Sequence, residues 1–243
     1  MQTQLYRIIG DTMKSKDLMV FLYMATKKIN VLGGKMEKDI IILTCSAKHG
    51  GYCVAGIDTE TGDWIRLVAS DDLETNEIPK DFMFYSDYTV CKPLDVVSVQ
   101  IIEYLPGDIQ PENVLVDLEC RPVFKGRVVP KDLDDYISNE SYIYESTSSY
   151  MDESTARRCG HSLALYKVQN IYLMKFNDLY GFPKTKLRFT YNECIYDRWS
   201  MTDPDYYRCD EGKICDEGLI VVSIPEDDFK GKYYKFVSKI IRL

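Results

Sequence analysis

Histidine is nearly absent from this 243-residue chain, which has only His49 and His161. The two stand too far apart to form a metal-binding His-x-x-x-His pair. Neither a Gly-x-x-x-x-Gly-Lys-Ser/Thr phosphate loop nor a Gly-x-Ser-x-Gly nucleophile elbow is present. Hydrolase and transferase chemistry therefore lacks residues to carry it, and the reading is a non-enzyme with no cofactor and no bound metal. Long apolar runs are missing too. The longest, Leu18 to Met24, falls far short of the roughly 20 residues a membrane-spanning helix needs. Asp11 and Asp17 interrupt the opening region, and no small-residue cleavage site follows, so no secretory signal is readable. The eight cysteines have no framework spacing, which points to reduced thiols in a cytoplasmic protein with no membrane partner. Cys194, Cys209 and Cys215 are spaced too widely for a zinc knuckle. Cys45 and Cys53 lie near His49, but in strand patterns where a buried thiol is ordinary.

The composition is that of a folded chain: 45% of residues are apolar and 12% aromatic, enough to build packed cores. The net charge of −8 argues against coating nucleic acid by bulk charge. That excess is concentrated in one place. From Asp132 to Glu153 there are acids at 132, 134, 135, 140, 145, 152 and 153 and no base; the remainder is nearly neutral, so a local basic groove is possible. Residues 1–35 are instead basic, with Arg7, Lys14, Lys16, Lys27, Lys28 and Lys35 against Asp11 and Asp17. They read either as an upstream extension foreign to the native chain or as a loosely docked helix across about Lys16 to Lys28.

From Asp39 onward the pattern is one of strands. Asp39 to Cys45, Gly51 to Asp58, Asp63 to Ala69, Leu94 to Glu103 and Asn113 to Leu118 form a first group. Thr59 to Gly62 makes a hairpin loop closed by glycine. Ser70 to Val90 has no clean period and reads as a long excursion. Ser162 to Phe176, Lys186 to Tyr191, Cys194 to Met201, Gly218 to Ile224 and Lys232 to Ile241 form a second group, with a tight turn at Asn192-Glu193. Between the groups, Pro130 to Tyr144 carries a helix-start signal and spaced apolar residues, and polar Ser146 to Ser154 reads as a flexible link. The expectation is a mainly β protein of two tandem OB-like small β-barrels joined by a helical linker. The first barrel spans residues 36–129, the acidic linker 130–158 and the second barrel 159–243.

The segments Ile42 to Asp58 and Thr61 to Val68 resemble the opening of bacterial dual OB-fold proteins. Pro93 to Val97, Gln110 to Asn113, Gly160 to Leu163 and Met201 to Tyr206 extend the resemblance over about residues 39–243. It implies tandem OB barrels in a group assigned to nucleic-acid sensing within prokaryotic conflict systems.

The residues suggest their own chemistry. In the loop Lys48-His49-Gly50-Gly51-Tyr52, paired glycines allow close backbone approach, Lys48 offers a phosphate contact, and His49 or Tyr52 can stack on a base. Trp64 and Arg66 share one strand face, which suits stacking beside a cation. The plainer alternatives are a turn shaped by glycine, Trp64 in the core, and Arg66 holding Asp58 across the hairpin. Arg157 and Arg158 are candidate phosphate contacts or solvated loop charge. Asp203 before Pro204 is read first as a turn cap. The partner expected is single-stranded nucleic acid or a nucleotide. The alternative is a protein effector, bound through the barrels and the acidic linker with Tyr136, Tyr142, Tyr144 and Tyr150.

Overall fold

The computed structural model describes residues 35–48, 50–72, 76–177 and 180–243. The alternatives for residues 1–34 and the role suggested for His49 thus fall outside the described residues.

Five strands build the first barrel: β1 (Met36–Lys48), β2 (Gly51–Asp58), β3 (Trp64–Val68), β4 (Asp95–Tyr104) and β5 (Asn113–Val116). They pair in the order β1-β2-β3-β5-β4, and β4 pairs back onto β1. A sixth strand, β6 (Val123–Arg127), lines the outer side of β4. The Thr59–Gly62 loop joins β2 to β3 with Gly62 at φ 78°, a left-handed conformation that costs glycine little.

After β6 come β7 (Tyr150–Met151), helix α1 (Glu153–Cys159), β8 (Leu163–Asn177), β9 (Pro183–Tyr191), β10 (Cys194–Met201), β11 (Gly212–Ser223), β12 (Tyr233–Tyr234) and β13 (Phe236–Arg242). The closed ring β8-β9-β10-β13-β11 repeats the order of the first barrel, strand for strand. In each barrel the third and fifth strands run parallel, β3 beside β5 and β10 beside β13. Asn192 and Glu193 both have positive φ at the β9–β10 turn, as a type I′ hairpin requires.

The continuous apolar runs have a common cause. Along β1, Ile40, Ile41, Ile42 and Leu43 are all buried. Ile41 and Leu43 belong to a cluster with Leu163 and Leu165 of β8, Leu219 and Val221 of β11, and Ile241 of β13. The alternate residues Ala164, Tyr166, Ile220, Val222 and Ile240 line the interior of the second barrel instead. These strands are buried on both faces, one toward a barrel interior and one toward the seam between barrels, so strict alternation disappears. Glu37–Leu243 accordingly forms one compact unit.

The linker departs from expectation. No α-helix forms over Pro130 to Tyr144; short 3-10 turns occupy Pro130–Tyr136 and Ile143–Glu145. The backbone between them bonds to the barrel rather than to itself, with Ser138 N–H donating to the Leu165 carbonyl (2.7 Å). Nor is Ser146 to Ser154 a loose tether. Tyr150–Met151 pairs with Tyr233–Tyr234, Ser149 accepts from Lys235 N–H (2.9 Å), and Asp152 caps α1 through Thr155 N–H (2.8 Å). Tertiary hydrogen bonds outweigh the local helical preference.

The linker closes one end of the aromatic interior of the second barrel. Phe189 stacks on Tyr196 with centroids 5.2 Å apart, and Trp199 meets both edge-on. The polar tips of these rings need partners when buried, and the linker supplies them. Ile143 N–H donates to Tyr196 Oη (3.2 Å), Trp199 Nε1–H donates to Thr147 O (3.3 Å), and Tyr191 Oη–H donates to Glu140 O (2.5 Å). Lys235, 0% exposed, donates to the carbonyls of Ile143, Tyr144 and Ser146 at 2.8 to 3.1 Å. Burial pushes its ammonium pKa down to about 8.

Candidate functional site

The loop between β1 and β2 is held from outside by a third segment. Tyr52 and Ile78 exchange backbone hydrogen bonds of 2.9 Å in both directions. A Cβ on Gly51 would lie 2.4 Å from the Ile78 carbonyl oxygen, whereas one on Gly50 would meet nothing within 4 Å. The close approach expected of the glycine pair is therefore made by Gly51 to the protein's own backbone, while Gly50 faces open space. The Ile78 bridge brings buried Asn76 beside the loop, where its Oδ1 accepts from the Lys48 ammonium.

On β3 the outcome differs from the expected exposed face. Trp64 is half-buried and packs against the cluster shared by the barrels. Arg66 is only 6% exposed. Its guanidinium reaches Glu112 (3.1 Å) and the Ser162 hydroxyl (2.6 Å), which also donates to Glu112. Arg66 thus ties the first barrel to the start of the second, and Asp58 is held by Lys38 instead (2.8 Å). The guanidinium is not fully used: Arg66 Nε and Glu112 Oε2 are buried with no hydrogen-bond partner among the described residues. Such atoms are costly unless something satisfies them.

Lys48 and Arg66 open on one cleft of about 510 Å³ between the barrels. Asn76 and Gln110 of the first barrel complete one wall; Thr202, Glu226, Asp227 and Phe236 of the second form the other. Gln110 is fixed by its amide to Ile224 O (2.8 Å), and Glu226 accepts from the backbone N–H groups of Ile109 and Gln110 (3.3 and 2.8 Å). The result is a set of donors, acceptors and one ring held on strands and loops of both barrels.

Tyr52, from the same loop, lines a different cavity of about 450 Å³, with Lys92, Arg127, Lys239 and Arg242. Asp203, fully buried there, accepts from Asp205 N–H (3.1 Å) as a turn cap and from Ile240 N–H and Lys239. Burial raises the Asp203 pKa, partly offset by Lys239. Arg157 and Arg158 lie on α1, outside both cavities. Arg157 bonds Asp108 (2.5 Å) and Glu153 (2.9 Å), and Arg158 bonds Glu145 (2.5 Å). Their charges are matched by the protein's own carboxylates, which fasten the helix to its surroundings.

Burial raises the Cys45 thiol well above its ordinary range, the reverse of what an activated nucleophile needs. Among the described residues no group of three or more His, Cys, Asp or Glu side chains is placed to hold a metal. No described helix is long and apolar enough to cross a membrane. The tyrosines of the linker serve the core more than the surface: Tyr144 is buried and Tyr136 packs on the shared cluster, although Tyr142 and Tyr150 remain exposed.

Two five-stranded rings with a cleft at their seam have the architecture of a tandem-barrel binding module. The dual OB-containing domain model matches residues 38–240, and the chain belongs to that family. No curated protein and no solved structure matches the chain significantly.

Proposed function

We propose that this chain is a non-enzymatic module that binds single-stranded nucleic acid or a nucleotide-like ligand in the inter-barrel cleft. The observation that carries the reading is the cleft itself: Lys48 and Arg66 of the first barrel line one wall and Thr202 and Phe236 of the second line the other. A phosphate can accept from the Lys48 ammonium, and Phe236 offers a face for stacking. Sensing within a prokaryotic conflict system fits a binder that passes its signal to a separate effector; this part rests on the family resemblance alone. A cytoplasmic location belongs to the same reading, since all eight cysteines are free thiols.

Fluorescence titration against single-stranded and duplex DNA and RNA and against mononucleotides tests the proposal. Lys48→Ala is expected to weaken binding and to flatten the log–log salt dependence by about 0.7, the share of one single-strand phosphate contact. If the wild-type protein binds none of these at low salt, where attraction between charges is strongest, the reading fails.

One observation favours a protein-binding adaptor as the second reading. β6 ends its sheet, and Val123 and Phe124 on it are both exposed, so an extended peptide could add to that edge. Phe124→Lys would then abolish partner binding and leave nucleic-acid binding unchanged.

A further inference from the structure

Apart from the cleft residues, the second barrel carries a run of aromatics and lysines whose outward side chains are exposed or half-buried. It lies in Phe229-Lys230-Gly231-Lys232-Tyr233-Tyr234-Lys235-Phe236, the final part of the connection from β11 to β13. Lys230 and Gly231 sit at positive φ (56° and 73°). Phe229 and Lys232 exchange backbone hydrogen bonds of 2.9 and 3.3 Å. This is a tight type I′ turn that raises Lys230 at its tip. Beyond it the side chains alternate. Tyr233 and Lys235 turn inward and are buried, whereas Tyr234 and Phe236 turn outward.

The outward rings form a connected series. Tyr234 lies 5.8 Å from Tyr150, 6.4 Å from Phe229 and 6.5 Å from Phe236, with planes tilted by 41° to 55°. Phe229 is 62% exposed and Tyr150 40%. Two ammonium groups stand over the rings, Lys232 at 4.0 Å from the Tyr150 centroid and Lys230 at 5.4 Å from that of Phe229. Of the neighbouring acids, Asp228 accepts from Gly231 N–H, Glu226 from Ile109 and Gln110, and Glu153 pairs with Arg157. Three of the nearby carboxylates are thus turned into the protein's own backbone and side chains. At the near end of the series Phe236 is also a wall of the Lys48–Arg66 cleft.

We propose that Phe229, Tyr150, Tyr234 and Phe236 form a stacking platform for single-stranded nucleic acid, leading along the second barrel into the cleft. The proposal rests on the nucleic-acid reading above and specifies its ligand as an unpaired strand. Tilted, separated ring faces accept unstacked bases, and lysines beside them meet the phosphates. Neither is offered by the bases of a duplex, which are already stacked on each other.

The test is a titration of labelled single-stranded oligothymidylate and oligouridylate of about 12 nucleotides, alongside a duplex of the same length. Wild-type protein, Phe229→Ala, Tyr150→Ala, the double variant Lys230→Gln/Lys232→Gln, and Lys48→Ala are compared, each with its melting temperature. The rings are exposed, so unchanged melting is expected. Each ring variant should bind single strands about 5- to 150-fold more weakly with little change in salt slope. The lysine double variant should flatten that slope by about 1.4 for two phosphate contacts. If Lys48→Ala weakens binding while the ring and lysine variants do not, the platform is overturned and the cleft reading stands. Equal affinity for duplex and single strand also overturns the platform. A wild-type protein that binds no oligonucleotide removes both.

Discussion

The two barrels share one strand order and one parallel pair, yet they spend their loops in opposite ways. In the first, the β4–β5 connection, residues 105–112, is pressed onto the second barrel through Asp108, Ile109 and Gln110. In the second, the corresponding β11–β13 connection carries Phe229 at an exposed tip with two lysines. The interiors differ as well. The first barrel is filled by aliphatic residues such as Ile40, Val54, Val97, Ile101 and Val114; the second is built on Tyr166, Phe189, Tyr196 and Trp199. An aromatic interior brings hydroxyl and indole groups that need partners, and the linker meets that need with its carbonyls and amides. The first barrel therefore contributes its loop to the seam, and the second, plugged by the linker, presents the rings.

The two tryptophans, one per barrel, make this contrast measurable. Trp199→Ala removes a fully buried ring from two aromatic contacts and from the Lys235 ammonium and should cost about 3–5 kcal/mol. Trp64→Ala removes a half-buried ring from the seam and should cost about 1–2 kcal/mol. Urea unfolding gives both values. Equal losses would mean that the seam is as tightly built as the aromatic interior and would erase the distinction.

A smaller effect follows from Lys235. Its pKa is lowered by burial, so between about pH 8 and 10.5 the unfolded chain holds more protons than the folded one. Stability from this group therefore rises with pH across that window, and the cost of burying its charge is fully present below it. Lys235→Met leaves three linker carbonyls without their donor and should destabilise by about 2 kcal/mol at pH 7. The gap between wild type and variant should widen as pH rises from 8 toward 10. A gap that stays constant would show that Lys235 titrates as an ordinary surface lysine.

Much of the barrel architecture was legible in the sequence, because runs such as Ile40 to Leu43 and Leu219 to Val222 are too apolar and too short for anything but buried strands. That their two faces serve different cores was not legible, since this depends on contacts nearly 200 residues apart. Arg66 illustrates the same limit: its strand was legible but its burial was not, because the Ser162 that it bonds comes from the other barrel. The linker was misread because Pro130 and the spacing of Leu133, Tyr136 and Ile137 are genuine helix cues, overridden by bonds to Leu165 and to the aromatic tips. Of the residues lining the cleft, Lys48 and Arg66 had been singled out as site candidates, Gln110 and Thr202 only as parts of segments that carry the family resemblance, and Asn76 not at all. The interleaving of aromatics and lysines from Phe229 to Phe236 was present in the sequence, but was absorbed into a strand reading that took Lys232 to Ile241 as one uniform element.

Zero-length ultraviolet cross-linking of a single-stranded oligonucleotide to the full chain, with adducts mapped by mass spectrometry, tests the binding account most directly. Adducts at Tyr150, Phe229, Tyr234 or Phe236 and at Lys48 are the predicted result, because those groups line one continuous path. Adducts confined to Val123 and Phe124 on the β6 edge would contradict it.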